Sequence, residues 1–226
     1  MPHPKVVLIS GAGGALGSAV AARYRQHGSR LALAVFSESE YQEGAFCRAF
    51  DAANVQEADS FVKDAVGELG SIDALINCVG GFEGGQPIAE TEEAVWDKMM
   101  AMNAKSVFAL CRAVAPVMAK QGHGKIVNFG ARPALQSPAG MAAYAASKAA
   151  VLRITESLSA ELKSKGVNVN AILPSTLDTP GNRAAMPNAD ASKWVALDAM
   201  VDVVEFLCSD ASRAIHGAAI PVYGLG

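Results

Sequence analysis

The sequence is poor in the residues that hold metals or staple small folds. Its four cysteines (Cys47, Cys78, Cys111 and Cys208) and four histidines stand far apart, without the short spacings of a zinc site or disulfide scaffold. No metal is expected on this ground, and the cysteines read as buried free thiols of a reducing compartment. Charge is sparse as well: 18% of residues are charged and the net charge is -3. Without a basic cluster, neither a nucleic acid nor an anionic membrane surface is an expected partner. No apolar run approaches the roughly 20 residues of a spanning helix. The longest, over residues 106–118, is broken by Arg112. The opening Met1-Pro2-His3-Pro4-Lys5 lacks a secretory pattern, so a cytoplasmic location is expected.

Apolar residues are plentiful, at 51% of 226, enough for one domain with a sizeable core. Short Val/Ile/Leu runs alternate with amphipathic stretches. Strands are predicted at 5–10, 30–36, 45–50, 72–78, 125–129, 167–173 and 218–222. Helices are predicted at 16–27, 56–69, 141–165 and 192–207, with two segments across 92–120 and a bend tolerating Pro116. Continuous apolar strands between helices predict an α/β fold, a doubly wound parallel sheet covered on both faces, over residues 1–226 as a single domain. Ligands of such sheets sit beyond the carboxyl ends of the strands. Chemistry-bearing residues should therefore cluster after Ser10, Phe36, Asn77, Phe129 and Leu173.

The first strand runs into Ser10-Gly11-Ala12-Gly13-Gly14-Ala15-Leu16-Gly17. Glycines let a backbone approach a pyrophosphate, and the following helix offers free N–H groups to it. Gly11, Ala15, Leu16 and Gly17 are candidate contacts, although an ordinary strand-to-helix turn reads the same way. Asp51, followed by Ala52, could accept an adenine amino group or cap a helix. Asn77-Cys78-Val79-Gly80 leaves room for a flat ligand against its backbone, or is any turn. Tyr144 and Lys148 lie four residues apart on one helical face. A free tyrosine titrates near pH ~10, and a neighbouring ammonium lowers that value toward usefulness in proton exchange. Alone, the pair reads equally as a surface tyrosine and a solvated lysine.

The order of these motifs resembles the short-chain dehydrogenase/reductase family over essentially the whole chain. Ser10, Gly11, Ala15 and Gly17 match its Thr-Gly-x-x-x-Gly-x-Gly turn, and Asn77, Cys78, Val79 and Gly80 its Asn-Asn-Ala-Gly turn. Tyr144 and Lys148 match Tyr-x-x-x-Lys, Asn103 the active-site asparagine, and Pro174, Ser175 and Thr179 the nicotinamide-side segment. The resemblance implies a Rossmann-like sheet and an NAD(P)(H)-dependent oxidoreductase. Hydride would pass between nicotinamide and a small carbonyl or imine, with Tyr144 as proton donor, Lys148 on the ribose and Asn103 holding a helix kink and a relay water. It also implies a homodimer or homotetramer through the helices around 105–120 and 141–165.

Three departures bear on substrate and cofactor. The family's serine falls on Ala131, which cannot donate a hydrogen bond, and Ser137 is a possible substitute. Ala15 replaces a glycine and narrows the phosphate turn. The acid that usually binds the ribose of NAD is missing at Val35, where Phe36 and Ser37 follow, but no Arg or Lys marks NADP either. Glu38 and Glu40 would repel a 2'-phosphate and favour NAD(H) if they point inward, although a solvated loop is the default reading. Segments 78–85, 130–141 and 173–194 resemble dihydropteridine-reductase-like members that lack the serine, with Phe82, Met186 and Trp194 as candidate pocket walls. A carbonyl reductase, and a dinucleotide-binding regulator without chemistry, are the alternatives.

Overall fold

A computed structural model describes residues 3–225. In chain order the strands are β1 (Val6–Ser10), β2 (Arg30–Val35), β3 (Phe46–Ala49), β4 (Ala74–Asn77), β5 (Gly124–Phe129), β6 (Val167–Pro174) and β7 (Ala219–Val222). The helices are α1 (Ala15–Gln26), α2 (Val55–Leu69), α3 (Glu93–Met99), α4 (Ser106–Gln121), α5 (Ala142–Leu162), α6 (Pro180–Ala185) and α7 (Leu197–Cys208). All sheet pairings are parallel, in the order β3-β2-β1-β4-β5-β6-β7. The order reverses between β1 and β4, which opens a crevice at their carboxyl ends.

Side chains alternate across the sheet, so each strand feeds two cores. Val6 and Leu8 pack with residues of α2, α4 and α5 on one face. Val7 and Ile9 pack with residues of α1 and α7 on the other. Burial on both faces explains why the strands read as unbroken apolar runs. Within the first core, Phe61 of α2 is fully buried, 5.8 Å from the ring of Phe46 and 5.1 Å from that of Phe50.

The helix assignments need four corrections. Asn54, not Asp51, caps α2: its side chain accepts from the N–H groups of Gln56 and Glu57. The break within 92–120 falls at a π-helical segment, Met100–Lys105, and α4 runs on through Pro116. The 192–207 helix is a short 3-10 turn, Ala191–Lys193, followed by α7 from Leu197. Helix α6 had no periodic apolar signal because all its residues are polar, small or proline; its start is set by Thr179, whose Oγ1 accepts from Asn182 N. Among the described residues, no helix is long and apolar enough to cross a membrane.

Replacing Phe61 by Ala should destabilise the fold by about 3–5 kcal/mol, because a ring contacting two others leaves a cavity that the sheet cannot close. Urea unfolding measures this, and a loss below about 1 kcal/mol would show that the site collapses freely.

Candidate active site

The glycine turn is shaped by steric limits at two positions. Gly11 has φ +65°, and a Cβ there would lie 2.9 Å from the backbone nitrogen of Val79. A Cβ at Gly17 would overlap the carbonyl of Gly11. These contacts hold the turn against the segment after β4 and leave the backbone N–H groups of Ala15 and Leu16 in the first turn of α1. A helix N-terminus of this kind suits an anion such as a phosphate. Ala15 is exposed and Leu16 half-buried, so the methyl of Ala15 faces away from the packed side of the turn.

Behind the turn runs a buried chain of side-chain hydrogen bonds. Ser10 Oγ donates to Asn77 Oδ1 at 3.3 Å, and Asn77 Nδ2 donates to Asn128 Oδ1 at 2.8 Å. Asn128 Nδ2 donates to Thr155 Oγ1 at 2.9 Å, and Thr155 Oγ1 to the carbonyl of Val151 at 2.8 Å. The chain ties β1, β4, β5 and α5 at the level of the crevice, and the Asn77 amide is committed to it. Asn128 and Thr155 carry no motif, and only their placement in three dimensions makes them part of the site's support.

Asn103 lies in the π-helical segment and is fully buried. Its Oδ1 accepts from Gly81 N at 3.0 Å, while its Nδ2 donates to Gly81 O at 3.1 Å and to Ser147 Oγ at 3.0 Å. Ser147 Oγ in turn donates to the carbonyl of Tyr144 at 2.7 Å. The widened turn of the π segment thus couples the β4 turn to the first turn of α5. Gly80 has no room for a side chain: a Cβ would come within 3.0 Å of both Asn103 Oδ1 and Lys148 Nζ.

Tyr144 and Lys148 share one face of α5 at the crevice. Phe82 stands edge-on to the Tyr144 ring, with centroids 5.0 Å apart and planes at 85°. Lys148 is buried, and its Nζ donates to the carbonyl of Phe129 at 2.9 Å. Burial pushes the Tyr144 phenol up to about 12 and the Lys148 ammonium down to about 8. In this geometry desolvation outweighs the acidifying effect expected of the lysine. Ala131 is buried where β5 ends, with no donor to offer. Ser137 does not take its place: it is exposed and its Oγ donates to Pro138 O at 3.0 Å.

At the far end of the crevice, Ser37 caps a 3-10 turn, Glu38–Glu40, by accepting from Ser39 N. That turn folds Glu40 back, so that its Oε2 accepts from Phe36 N at 3.0 Å and its carboxylate lies over Gly13, where a Cβ would overlap it. Periodicity carries no signal for this return. Asp51 is exposed and its Oδ1 accepts from Ala53 N at 2.9 Å; Ala52 beside it is buried. Pro174 closes β6 and, beyond it, Thr179 starts α6. Met186, at the end of α6, is partly exposed, and Trp194 is half-buried.

A cleft beside the start of α5 is lined by Glu83, Gln86, Glu90, Glu92, Val95 and Ala143. Its floor is set where Gly85 N donates to Gly140 O at 2.7 Å. The rim is acidic, although Glu83 pairs with Lys98 at 2.7 Å.

A family profile described as short chain dehydrogenase matches residues 5–190. A probable galactose dehydrogenase of Rhizobium meliloti (strain 1021) is 32% identical, covering 96% of this chain and 93% of its own length. A D-threitol dehydrogenase of Mycolicibacterium smegmatis is 34% identical, covering 97% and 92%. Among solved structures, NAD+-bound xylitol dehydrogenase superposes with a TM-score of 0.87 at 25% identity, covering 97% of this chain and 98% of that one. With the glycine turn, the reversal of strand order and a tyrosine–lysine pair all at one crevice, these matches establish that the chain belongs to the short-chain dehydrogenase/reductase family of oxidoreductases.

Proposed function

We propose that this protein interconverts a small, uncharged alcohol and its carbonyl compound, using NAD(H) and exchanging the proton at Tyr144. The observation that carries the reading is a half-buried phenol, with an aromatic wall and a buried lysine, at the same crevice as a tightly packed glycine turn that opens onto a helix N-terminus. The relatives support an alcohol–carbonyl pair, since the named ones act on a sugar and polyols. An acidic cleft rim favours such substrates over anionic ones.

The residues divide the work by position. The N–H groups at the start of α1 hold the pyrophosphate, and Gly11 and Gly17 let the turn fold tightly enough to present them. Gly80 and Val79 offer flat backbone, and Thr179 and Pro174 flank the nicotinamide end. When bound, the dinucleotide supplies or accepts the hydride at the carbonyl carbon. Burial keeps Tyr144 protonated, so in the reduction direction its hydroxyl gives the proton to the substrate oxygen as the C–H bond forms. The lone pair left on the phenolate is neutralised by a proton from solvent. Lys148, one turn away, favours that phenolate when it leaves the Phe129 carbonyl for the crevice. Asn103 positions both the Gly80 turn and the Tyr144 backbone.

The NAD(H) preference rests on Glu40. Its carboxylate, held by Phe36 N through Oε2, lies over Gly13, where a negative charge suits ribose hydroxyls and opposes a 2'-phosphate. A second reading, reduction of a ring imine such as a quinonoid dihydropterin, is favoured by Ala131, because an imine nitrogen protonated by Tyr144 has no need of a further hydroxyl donor.

Three outcomes follow. Tyr144→Phe should lower kcat with NADH and a carbonyl panel by about 10²–10⁴-fold, while the NADH Kd stays within about threefold; undiminished turnover would remove Tyr144 from the chemistry. NAD+ should bind at least about tenfold more tightly than NADP+ by calorimetry, and Glu40→Ala should erase that ratio, since one lost repulsion of about 1.4 kcal/mol is tenfold; equal binding in the unaltered protein would exclude the role of Glu40. Finally, the folded pKa of Lys148 lies near 8, below its ordinary 10.5. Between these values the unfolded chain holds a proton the folded one lacks, so stability rises with pH in that window. Lys148→Met should lose this rise in chemical denaturation across pH 7.5 to 10, and parallel profiles would show that the lysine is already charged in the fold.

A further inference from the structure

Far from the crevice, His3, His27 and Glu205 converge from positions remote in sequence. One ligating atom of each lies within 4.8 Å of the other two. His27 Nε2 is 2.5 Å from Glu205 Oε1, and His3 Nδ1 is 3.7 Å from the same oxygen. We infer that these three side chains form a surface site for a borderline divalent cation such as Zn2+, which staples the segment before β1 to the ends of α1 and α7.

Two imidazoles and one carboxylate are the donor set that zinc, nickel and copper prefer over magnesium or calcium. Tetrahedral zinc, with bonds of about 2.0–2.1 Å, needs donor atoms roughly 3.4 Å apart. The present spacings bracket that value, and the His27–Glu205 contact must open to reach it. The His3 and His27 rings stack at 3.7 Å with planes only 5° apart. Coordination requires them to splay so that the ion lies in both ring planes. Both residues are exposed, which leaves room for this and for a water molecule to complete the coordination when the ion binds.

The surroundings hold the donors in place and supply the right sign of charge. Glu205 uses its other oxygen, Oε2, to bind Arg23, and Arg23 also donates to Asp202 Oδ1 at 2.8 Å. The guanidinium orients the carboxylate, and Asp202 offsets its charge, so Arg23, Asp202 and Glu205 together sum to one negative charge. Burial of the Tyr24 ring beside His27, edge-on at 6.3 Å, fixes one wall. His27 is the C-cap of α1 and Glu205 lies in the last turn of α7. Two helix carboxyl ends therefore point their negative poles at the cluster, which favours a cation. The segment bearing His3 is anchored just after it, where Ser29 Oγ donates to Pro4 O at 2.6 Å and Arg30 N to Lys5 O at 2.8 Å. The cluster lies at the starting ends of β1 and β2, opposite the catalytic crevice, so the ion's role is structural.

The test is calorimetric titration of the full chain, free of any histidine tag, with Zn2+ and Ni2+, paired with thermal unfolding with and without the metal. One equivalent should bind, and the metal should raise the Tm. His3→Ala, His27→Ala and Glu205→Gln should each weaken binding at least about tenfold and abolish the Tm rise, as expected for loss of a ligand. His3→Ala keeps the test independent of folding, since this exposed side chain lies outside every helix and strand. No saturable binding in the unaltered protein would overturn the inference. So would binding that survives in all three variants, which would place the metal on a partly exposed thiol such as Cys47.

Discussion

The crevice depends on one buried amide. Asn103 holds Gly81 by both its oxygen and its nitrogen, and passes a third hydrogen bond through Ser147 to the first turn of α5. A regular α-helix across residues 100–105 would rotate that amide away from the β4 turn. The π-helical segment is therefore a geometric requirement of the bond, and the two support each other. Leaving this amide unpaired at zero exposure would cost about 1–3 kcal/mol, so the local arrangement has few alternatives. Gly80 lies between the amide oxygen and Lys148, so the β4 turn packs closely against α5.

A second set of polar contacts stiffens the sheet at the same level. The chain from Ser10 through Asn77 and Asn128 to Thr155 places four polar side chains in an otherwise apolar core. Each finds a partner, so the core tolerates them. Together with the clamp at Asn103, they make the strand ends a rigid floor. Two long side chains, Tyr144 and Lys148, stand on this floor, and burial pushes the protonation equilibria of both toward neutral species.

Much of this was legible in the chain because it rests on local patterns. Unbroken apolar runs pointed to the parallel sheet, and the glycines between Ser10 and Gly17 gained their meaning from following the first strand and from the order of the later motifs. Tyr144 and Lys148 needed only helical periodicity to share a face. What escaped was set by contacts between distant segments or by irregular backbone. The π segment hides in a sequence whose apolar pattern reads as ordinary helix. The return of Glu40 over Gly13 depends on a three-residue turn. Asn54 rather than Asp51 caps α2 because the chain leaves β3 through one more turn. The meeting of His27 with Glu205 leaves no trace in sequence spacing, because the two lie 178 positions apart.

The central claim is that Tyr144 is the proton-exchanging group, kept protonated by burial and released by charge at the crevice. The most direct measurement is the ultraviolet titration of the phenol, taken as the difference between the unaltered protein and Tyr144→Phe, with and without NAD+. The account predicts a phenol that titrates near 12 in the free protein and markedly lower when the oxidised dinucleotide, with its positive ring, is bound. A Tyr144 titration that is the same in both states would contradict it.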